Sequence, residues 1–244
     1  MGKVILLTGA GTGIGAETAR VLAPGNRLFL HYNVSREAVT EVKADVERLG
    51  GTAVLVRADV TSEHACKDMI DQVKGQTDHL DVLVNNAGGM IRRQPADALE
   101  WELMEQIFAL NTFSLMKLSS LCVPLLRASS QDPSIVNVSS VVIRHGGPGA
   151  TIYSAAKGAV DAFTRGLSRE LAPAIRANAV VPGVIDTPFH EKVSTPEQMA
   201  AWAANNPLKK NGQAIHIART IQYLIENDFV SGESIDVNGG LNIR

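Results

Sequence analysis

Short, nearly continuous apolar runs alternate along this chain with longer segments in which apolar residues recur every three to four positions. The runs Val4–Thr8, Arg27–Asn33, Thr52–Ala58, Leu80–Asn85, Ser134–Ser139, Arg176–Val181 and Ser234–Val237 predict strands. Unbroken apolar character in several of them fits strands covered on both faces, as in a parallel sheet. The segments Ile14–Ala23, Arg36–Leu49, Glu63–Gln76, Glu100–Leu126, Ser154–Leu171 and Ala214–Glu226 predict amphipathic helices, with a shorter helix over Glu197–Asn205. This repetition predicts an α/β fold built as a doubly wound sheet. No linker, repeat or low-complexity tract divides the 244 residues, so a single domain over residues 1–244 is expected. Two stretches stand outside the alternation, 141–152 and 183–212, the second holding Pro188, Pro196 and Pro207. Ligands bind at the carboxyl ends of the strands in such sheets, and residues 183–212 are long enough to form a lid.

Composition narrows the classes. An apolar share of 45% with 20% charged residues is ordinary for a core-forming domain. The net charge of −2 supplies no global basic field for nucleic acid or an anionic membrane. Cys66 and Cys122 match no metal or redox spacing, and a reduced pair is expected. The six histidines form no ligand-spaced cluster, so no metal is expected. The apolar stretch around Leu115–Leu126 is interrupted by Lys117, serines and Pro124 and falls short of the ~20 residues that span a bilayer. The run Val4–Leu7 is too short for a signal-peptide core. A cytoplasmic protein without nucleic-acid or membrane partners is expected.

Candidate chemistry lies between the elements. The first strand runs into Thr8-Gly9-Ala10-Gly11-Thr12-Gly13-Ile14-Gly15 and then a helix. Glycines here permit close approach of a phosphate, and the helix N-terminus offers N–H groups to a pyrophosphate. After the fourth strand, Asn86-Ala87-Gly88 lies where a dinucleotide would cross the sheet. Asp59-Val60 follows the third strand, and Asp59 is placed either to hydrogen-bond an adenine or to cap the local turn. The end of the second strand reads Asn33-Val34-Ser35-Arg36, without the carboxylate that usually holds the ribose of NAD. Ser35 and Arg36 suit a 2′-phosphate, so NADP(H) is favoured and NAD(H) is the alternative. Tyr153 stands four residues before Lys157, on one helix face, and Ser140 precedes that tyrosine by thirteen. An ammonium beside a phenol favours phenolate and lowers its pKa from ~10, so this trio is expected to handle a proton.

Taken together, Thr8–Gly15, Asn85–Gly88, Asn111, Ser140, Tyr153-x-x-x-Lys157, Pro182-Gly183 with Thr187, and Gly239-Gly240 resemble the short-chain dehydrogenase/reductase family over essentially the whole chain, nearest its 3-oxoacyl-carrier-protein reductase-like branch. The resemblance implies a seven-stranded parallel Rossmann-type sheet and a homotetramer or homodimer. It implies Tyr153 as general acid/base, Lys157 on the nicotinamide ribose, Ser140 on the substrate carbonyl and Asn111 in a water-linked proton relay. Pro182, Gly183, Ile185 and Thr187 would approach the nicotinamide carboxamide.

The substrate is expected to be a small polar ketone, sugar or keto acid, contacted by Arg92, Arg144, His145 and His190 near the predicted pocket, where Arg93 also lies. Many relatives reduce an acyl chain on an acidic carrier protein, but the loops Arg127–Asp132 and Leu171–Ala174 bring little basic charge for such a partner. A non-catalytic dinucleotide-binding regulator is the alternative of another class. The intact trio argues against it, since a sensor needs no proton donor.

Overall fold

The computed structural model describes residues 2–243. In chain order the main elements are β1 (Val4–Leu7), α1 (Gly13–Val21), β2 (Arg27–Tyr32), α2 (Arg36–Arg48), β3 (Thr52–Arg57), α3 (Glu63–Lys74) and β4 (Val82–Asn85). They continue with α4 (Trp101–Phe108), α5 (Ser114–Arg127), β5 (Ser134–Val138), α6 (Val142–His145), α7 (Thr151–Glu170), β6 (Arg176–Pro182) and β7 (Ile185–Asp186). The chain closes with α8 (Pro188–Glu191), α9 (Pro196–Asn205), β8 (Gly212–Gln213), α10 (Ala214–Glu226) and β9 (Ser234–Val237). Seven parallel strands form one sheet in the order β3-β2-β1-β4-β5-β6-β9, as the apolar runs predict.

Strand burial explains those runs. Leu28, Leu30, Ile5, Leu7, Val82 and Val84 alternate onto the face covered by α1, α2 and α10. Phe29, Leu6, Leu83 and Ile135 face α3, α5 and α7. Each strand therefore buries both its odd and even positions, and a single three-layer core results. The sheet order reverses between β1 and β4, which opens a crevice at their carboxyl ends.

The expected helix over Glu100–Leu126 is not uniform. Between α4 and α5 the chain makes a π-helical turn, Ala109–Phe113. The buried positions Leu103, Ile107, Asn111 and Leu115 follow one another in steps of four. An α-helix at 3.6 residues per turn would rotate such a series off the core face, and the wider π turn resets it. Trp101–Arg127 is long and apolar enough by length and composition to cross a membrane, contrary to the reading of that stretch as too interrupted. Half of its most apolar stretch is nevertheless buried within the domain.

Arg176, 7% exposed at the start of β6, fixes the end of α10. Its guanidinium donates to the carbonyls of Leu224 at 2.8 Å, Ile225 at 3.0 Å and Val230 at 3.0 Å, and pairs with Asp132 at 2.8 Å. Two of these carbonyls belong to the last helical turn, where no intrahelical donor reaches them. Arg176→Met should therefore lower unfolding stability by about 3 kcal/mol, since buried acceptors lose charged donors. Urea denaturation of the two proteins checks this.

Candidate active site

The loops after β1, β4, β5 and β6 line a cavity of about 600 Å³ at the carboxyl ends of the strands, bordered by Phe189 and His190 of α8 and Trp202 of α9. Its floor is the glycine loop. Gly9 and Gly13 have φ of +65° and +53°, and a Cβ at Gly15 would lie 2.0 Å from the Gly9 carbonyl oxygen. A Cβ at Gly9 would lie 3.0 Å from both the Ala87 Cα and the Asn86 amide nitrogen, so the loop after β4 packs directly against it. Thr12, at the N-cap of α1, makes no side-chain cap bond, leaving the first-turn N–H groups of this helix without a side-chain acceptor. A side-chain-free cradle at an uncapped helix N-terminus fits a dinucleotide pyrophosphate.

Thr8 supports this cradle from behind. Its buried hydroxyl accepts from the Asn86 and Ala87 N–H groups, both at 2.9 Å. The Asn86 amide returns two bonds, to the carbonyls of Thr8 at 2.9 Å and Gly9 at 3.0 Å. His31, 2% exposed on β2, joins the same assembly. Its Nδ1 accepts from the Gly9 N–H at 3.1 Å, which places the ring proton on Nε2, 3.1 Å from the Ala58 carbonyl. Burial holds its pKa below the usual histidine value, outweighing the Ala58 carbonyl and Asp59. Sequence reading passed over His31; its signal is a polar residue inside an otherwise apolar central strand.

The adenosine side of the predicted site lies outside the cavity. Gly11 sits against Ser35, whose Cβ would be 3.5 Å from a Cβ at that glycine. Ser35 does not cap α2, and Asn33, Ser35 and Arg36 are all exposed. Asp59 accepts from the Thr61 N–H at 3.0 Å and hydroxyl at 2.7 Å, so one of its oxygens is engaged by a local turn. Val60 departs from the expectation: its side chain is buried in the core among Cys66 and Met69, which leaves only backbone for a ligand. Cys66 and Cys122 are both free, buried thiols, pushed up to about 11 and about 12 by burial.

The trio converges inside the cavity. Ser140 follows β5 and lines the same cavity as Tyr153, near enough to its phenol to draw the pKa down. Its neighbour Ser139 is turned away and donates to the Lys157 carbonyl at 3.2 Å, which fixes α7 to the sheet. Lys157, 3% exposed, donates to the Val138 carbonyl at 2.8 Å, with its ammonium 5.9 Å from the centre of the Tyr153 ring. The expected lowering of the phenol pKa is corrected here. Burial pushes Tyr153 up to about 12, with only Ser140 acting the other way. Burial pushes Lys157 down to about 8. Desolvation sets the direction of both shifts, and the ammonium is directed at the Val138 carbonyl.

Asn111 is fully buried in the π turn, and its amide clasps Gly89 at both ends, accepting from its N–H at 2.9 Å and donating to its carbonyl at 2.8 Å. A Cβ at Gly88 would lie 2.7 Å from the Asn111 Oδ1 and 3.2 Å from the Lys157 Nζ, so these groups meet over a residue that must be glycine. Pro182, Gly183, Ile185 and Thr187 line the cavity, with a Cβ at Gly13 lying 3.3 Å from that of Thr187.

Two of the four expected substrate contacts are withdrawn. Arg92 is exposed and paired with Glu100, and it does not line the cavity. Arg144 does not line the cavity; it donates to Asp236 at 3.1 Å and lies 3.9 Å from Asp161, which ties α6 to α7 and β9. His145 and His190 do line the cavity. His190 bonds Ser194 at 3.0 Å, and its pKa is held down by burial and then by Arg93, against Asp186. Most of the remaining wall is apolar, with Met90, Ala150, Phe189 and Trp202 reaching in from segments far apart in sequence.

Comparison with known proteins places this geometry in a wide group. The family described as enoyl-(acyl carrier protein) reductase matches residues 9–242. The chain is 32% identical over 242 residues to a cyclopentanol dehydrogenase of Comamonas testosteroni, covering 98% of this chain and 96% of the relative. It is 34% identical over 246 residues to a 3-oxoacyl-(acyl-carrier-protein) reductase of Thermotoga maritima, covering 99% and 98%. Among solved structures, an NADH-dependent reductase responsible for alginate metabolism superposes with a TM-score of 0.91 at 28% identity, covering 100% of this chain and 98% of that one.

The His31 staple gives a pH dependence. A group whose folded pKa is depressed binds fewer protons folded than unfolded below ~6.5, so stability falls as pH drops through that value toward the lower folded pKa. His31→Gln cannot titrate. Between pH 7 and pH 5 the wild-type chain should lose more unfolding free energy than the variant, as read by urea denaturation at each pH.

Proposed function

The chain belongs to the short-chain dehydrogenase/reductase family, and we propose that it is an NADP(H)-dependent reductase of a small carbonyl compound with Tyr153 as proton donor. The observation that carries this reading is the buried Tyr153 phenol, which shares one cavity with Ser140, Lys157 and the glycine cradle. The nicotinamide, when bound, supplies the hydride. Tyr153, with a pKa of about 12, holds its proton at neutral pH and can give it to the oxygen of the reacting carbonyl. Ser140 is placed to hydrogen-bond that same oxygen and so to orient the carbonyl. Lys157, brought to about 8 by burial, places a readily deprotonated ammonium in the same cavity. The clasp of Asn111 on Gly89 fixes the loop after β4, with Gly88 packed against the ammonium. The aromatic and aliphatic wall limits the water that reaches the reacting groups.

NADP(H) is preferred in this reading because the residues beside Gly11 are Ser35, with no cap bond to α2, and exposed Arg36. No carboxylate stands at the end of β2 to hold a ribose diol. A second reading, reduction of an acyl chain presented by a carrier protein, is favoured by the 34% identity to the Thermotoga maritima reductase and by the apolar wall. Activity with a carrier-bound 3-oxoacyl chain, compared with free ketones, separates the two. Association into a homo-oligomer is also proposed. The large apolar side chains exposed on the α4–α5 segment, Trp101 at 73% and Phe113 at 59%, support this reading.

Tyr153→Phe removes the transferable proton and keeps the ring. NADPH oxidation against a carbonyl panel should fall by about 100- to 10,000-fold, while NADPH binding, followed by its fluorescence, stays within a few-fold of wild type. Arg36→Ala should raise KM for NADPH by about tenfold, the loss of one charge-assisted phosphate contact, and leave KM for NADH unchanged. Steady-state kinetics with both cofactors measure the difference.

A further inference from the structure

The cavity wall beyond Tyr153 is a row of rings. Tyr153 meets Phe189 at 6.1 Å between centroids, Phe189 meets His190 edge-on at 5.0 Å, and His190 meets Trp202 at 5.8 Å. The row ends at Arg93, whose guanidinium lies 5.9 Å over the Trp202 ring. Tyr153 and Arg93 thus stand at opposite ends of one aromatic wall in one cavity.

Arg93 is built in rather than adrift. Its Nε donates to the Val193 carbonyl at 3.0 Å and its Nη1 to the Pro148 carbonyl at 2.9 Å, which fixes the guanidinium plane between the lid and the loop before α7. These bonds use two of five N–H groups. The other arginines near the site have acidic partners: Arg92 has Glu100, Arg144 has Asp236 and Arg165 has Asp161. Among the described residues no carboxylate lies within ion-pair distance of Arg93. Its field reaches His190, whose pKa it helps to lower, while Asp186 acts in the opposite sense. A half-buried, oriented and unneutralised guanidinium on an apolar cavity is a receptor for a planar anion.

We propose that Arg93 binds a carboxylate carried by the substrate at the end remote from the reacting carbonyl, so that the substrate class is an oxo acid with an apolar spacer. The inference rests on the carbonyl-reductase reading of the same cavity for the position of the carbonyl end. A carboxylate adjacent to the carbonyl would instead lie beside Tyr153 and Ser140, where the nearby cation, Lys157, is turned onto the Val138 carbonyl. The spacer would run along Phe189 and the facing Met90 and Ala150.

The test is calorimetric titration of the NADPH-loaded chain with hexanoate and with its neutral isostere hexanamide. Wild type should bind hexanoate at least about tenfold more tightly, the worth of one charge-assisted contact in a partly buried site. Arg93→Gln should bring the two affinities together. Arg93→Lys, which keeps the charge but cannot reproduce both backbone bonds, should retain much of the preference. Equal binding by wild type, no hexanoate binding, or a preference that survives in Arg93→Gln overturns the proposal. So does a loss in Arg93→Lys as complete as in Arg93→Gln, which marks the arginine as a lid clamp only. Turnover is read separately, as kcat/KM for 6-oxohexanoate against its methyl ester. If hexanoate preference persists in the absence of any turnover, the carboxylate receptor stands and the reductase reading falls.

Discussion

The seam between the ends of β1 and β4 is the constraint from which the site follows. Parallel strands that diverge into helices on opposite faces leave their last backbone groups without ladder partners, and here Thr8 and Asn86 supply those partners to each other. These bonds, with those of the Thr8 N–H and hydroxyl to the Val84 carbonyl, set the height of the glycine loop, which His31 then fixes from the β2 side. Loosening the seam would move the cradle relative to Gly88, and with it the meeting point of Asn111 and Lys157. Binding and chemistry therefore share one foundation, and neither Thr8 nor His31 needs to touch a ligand to govern both.

Burial, more than charge pairing, sets the proton chemistry. An exposed tyrosine next to a lysine would be drawn toward phenolate. Enclosed in the wall, the same tyrosine holds its proton more firmly and the lysine holds its own less firmly. The two shifts bring the groups to complementary tasks, one keeping a proton ready and the other able to surrender one. The Val138 carbonyl at the end of β5 makes this possible by giving the buried ammonium an acceptor that carries no net charge.

Much of this was legible in the chain. Strands buried on both faces must be apolar at every position, so β1, β2 and β5 were visible as runs, and the glycines announced where a side chain has no room. The spacing of Tyr153 and Lys157 on one helix was equally plain. What stayed hidden depends on contacts between distant segments. Arg144 looked available until Asp161 and Asp236 arrived beside it from α7 and β9. Arg93 looked no different from Arg92, and only the fold pairs one with Glu100 and leaves the other over Trp202. The π turn left a trace in the repeated steps of four, but amphipathic periodicity alone reads that trace as one long helix.

The small parallel pairing of β7 with β8 has a consequence for how such a cavity changes over time. Ile185 opposite Gly212 and Asp186 opposite Gln213 pin both roots of the lid beside the sheet. With its ends fixed, the intervening chain is a closed loop, and lengthening such a loop costs only about 0.6 kcal/mol for each doubling. Insertions and deletions between the two roots can therefore resize the ring-lined wall while β6 and the proton-handling groups keep their places. A lineage carrying this scaffold can exchange one carbonyl substrate for another by editing the lid, without refolding the machine beneath it.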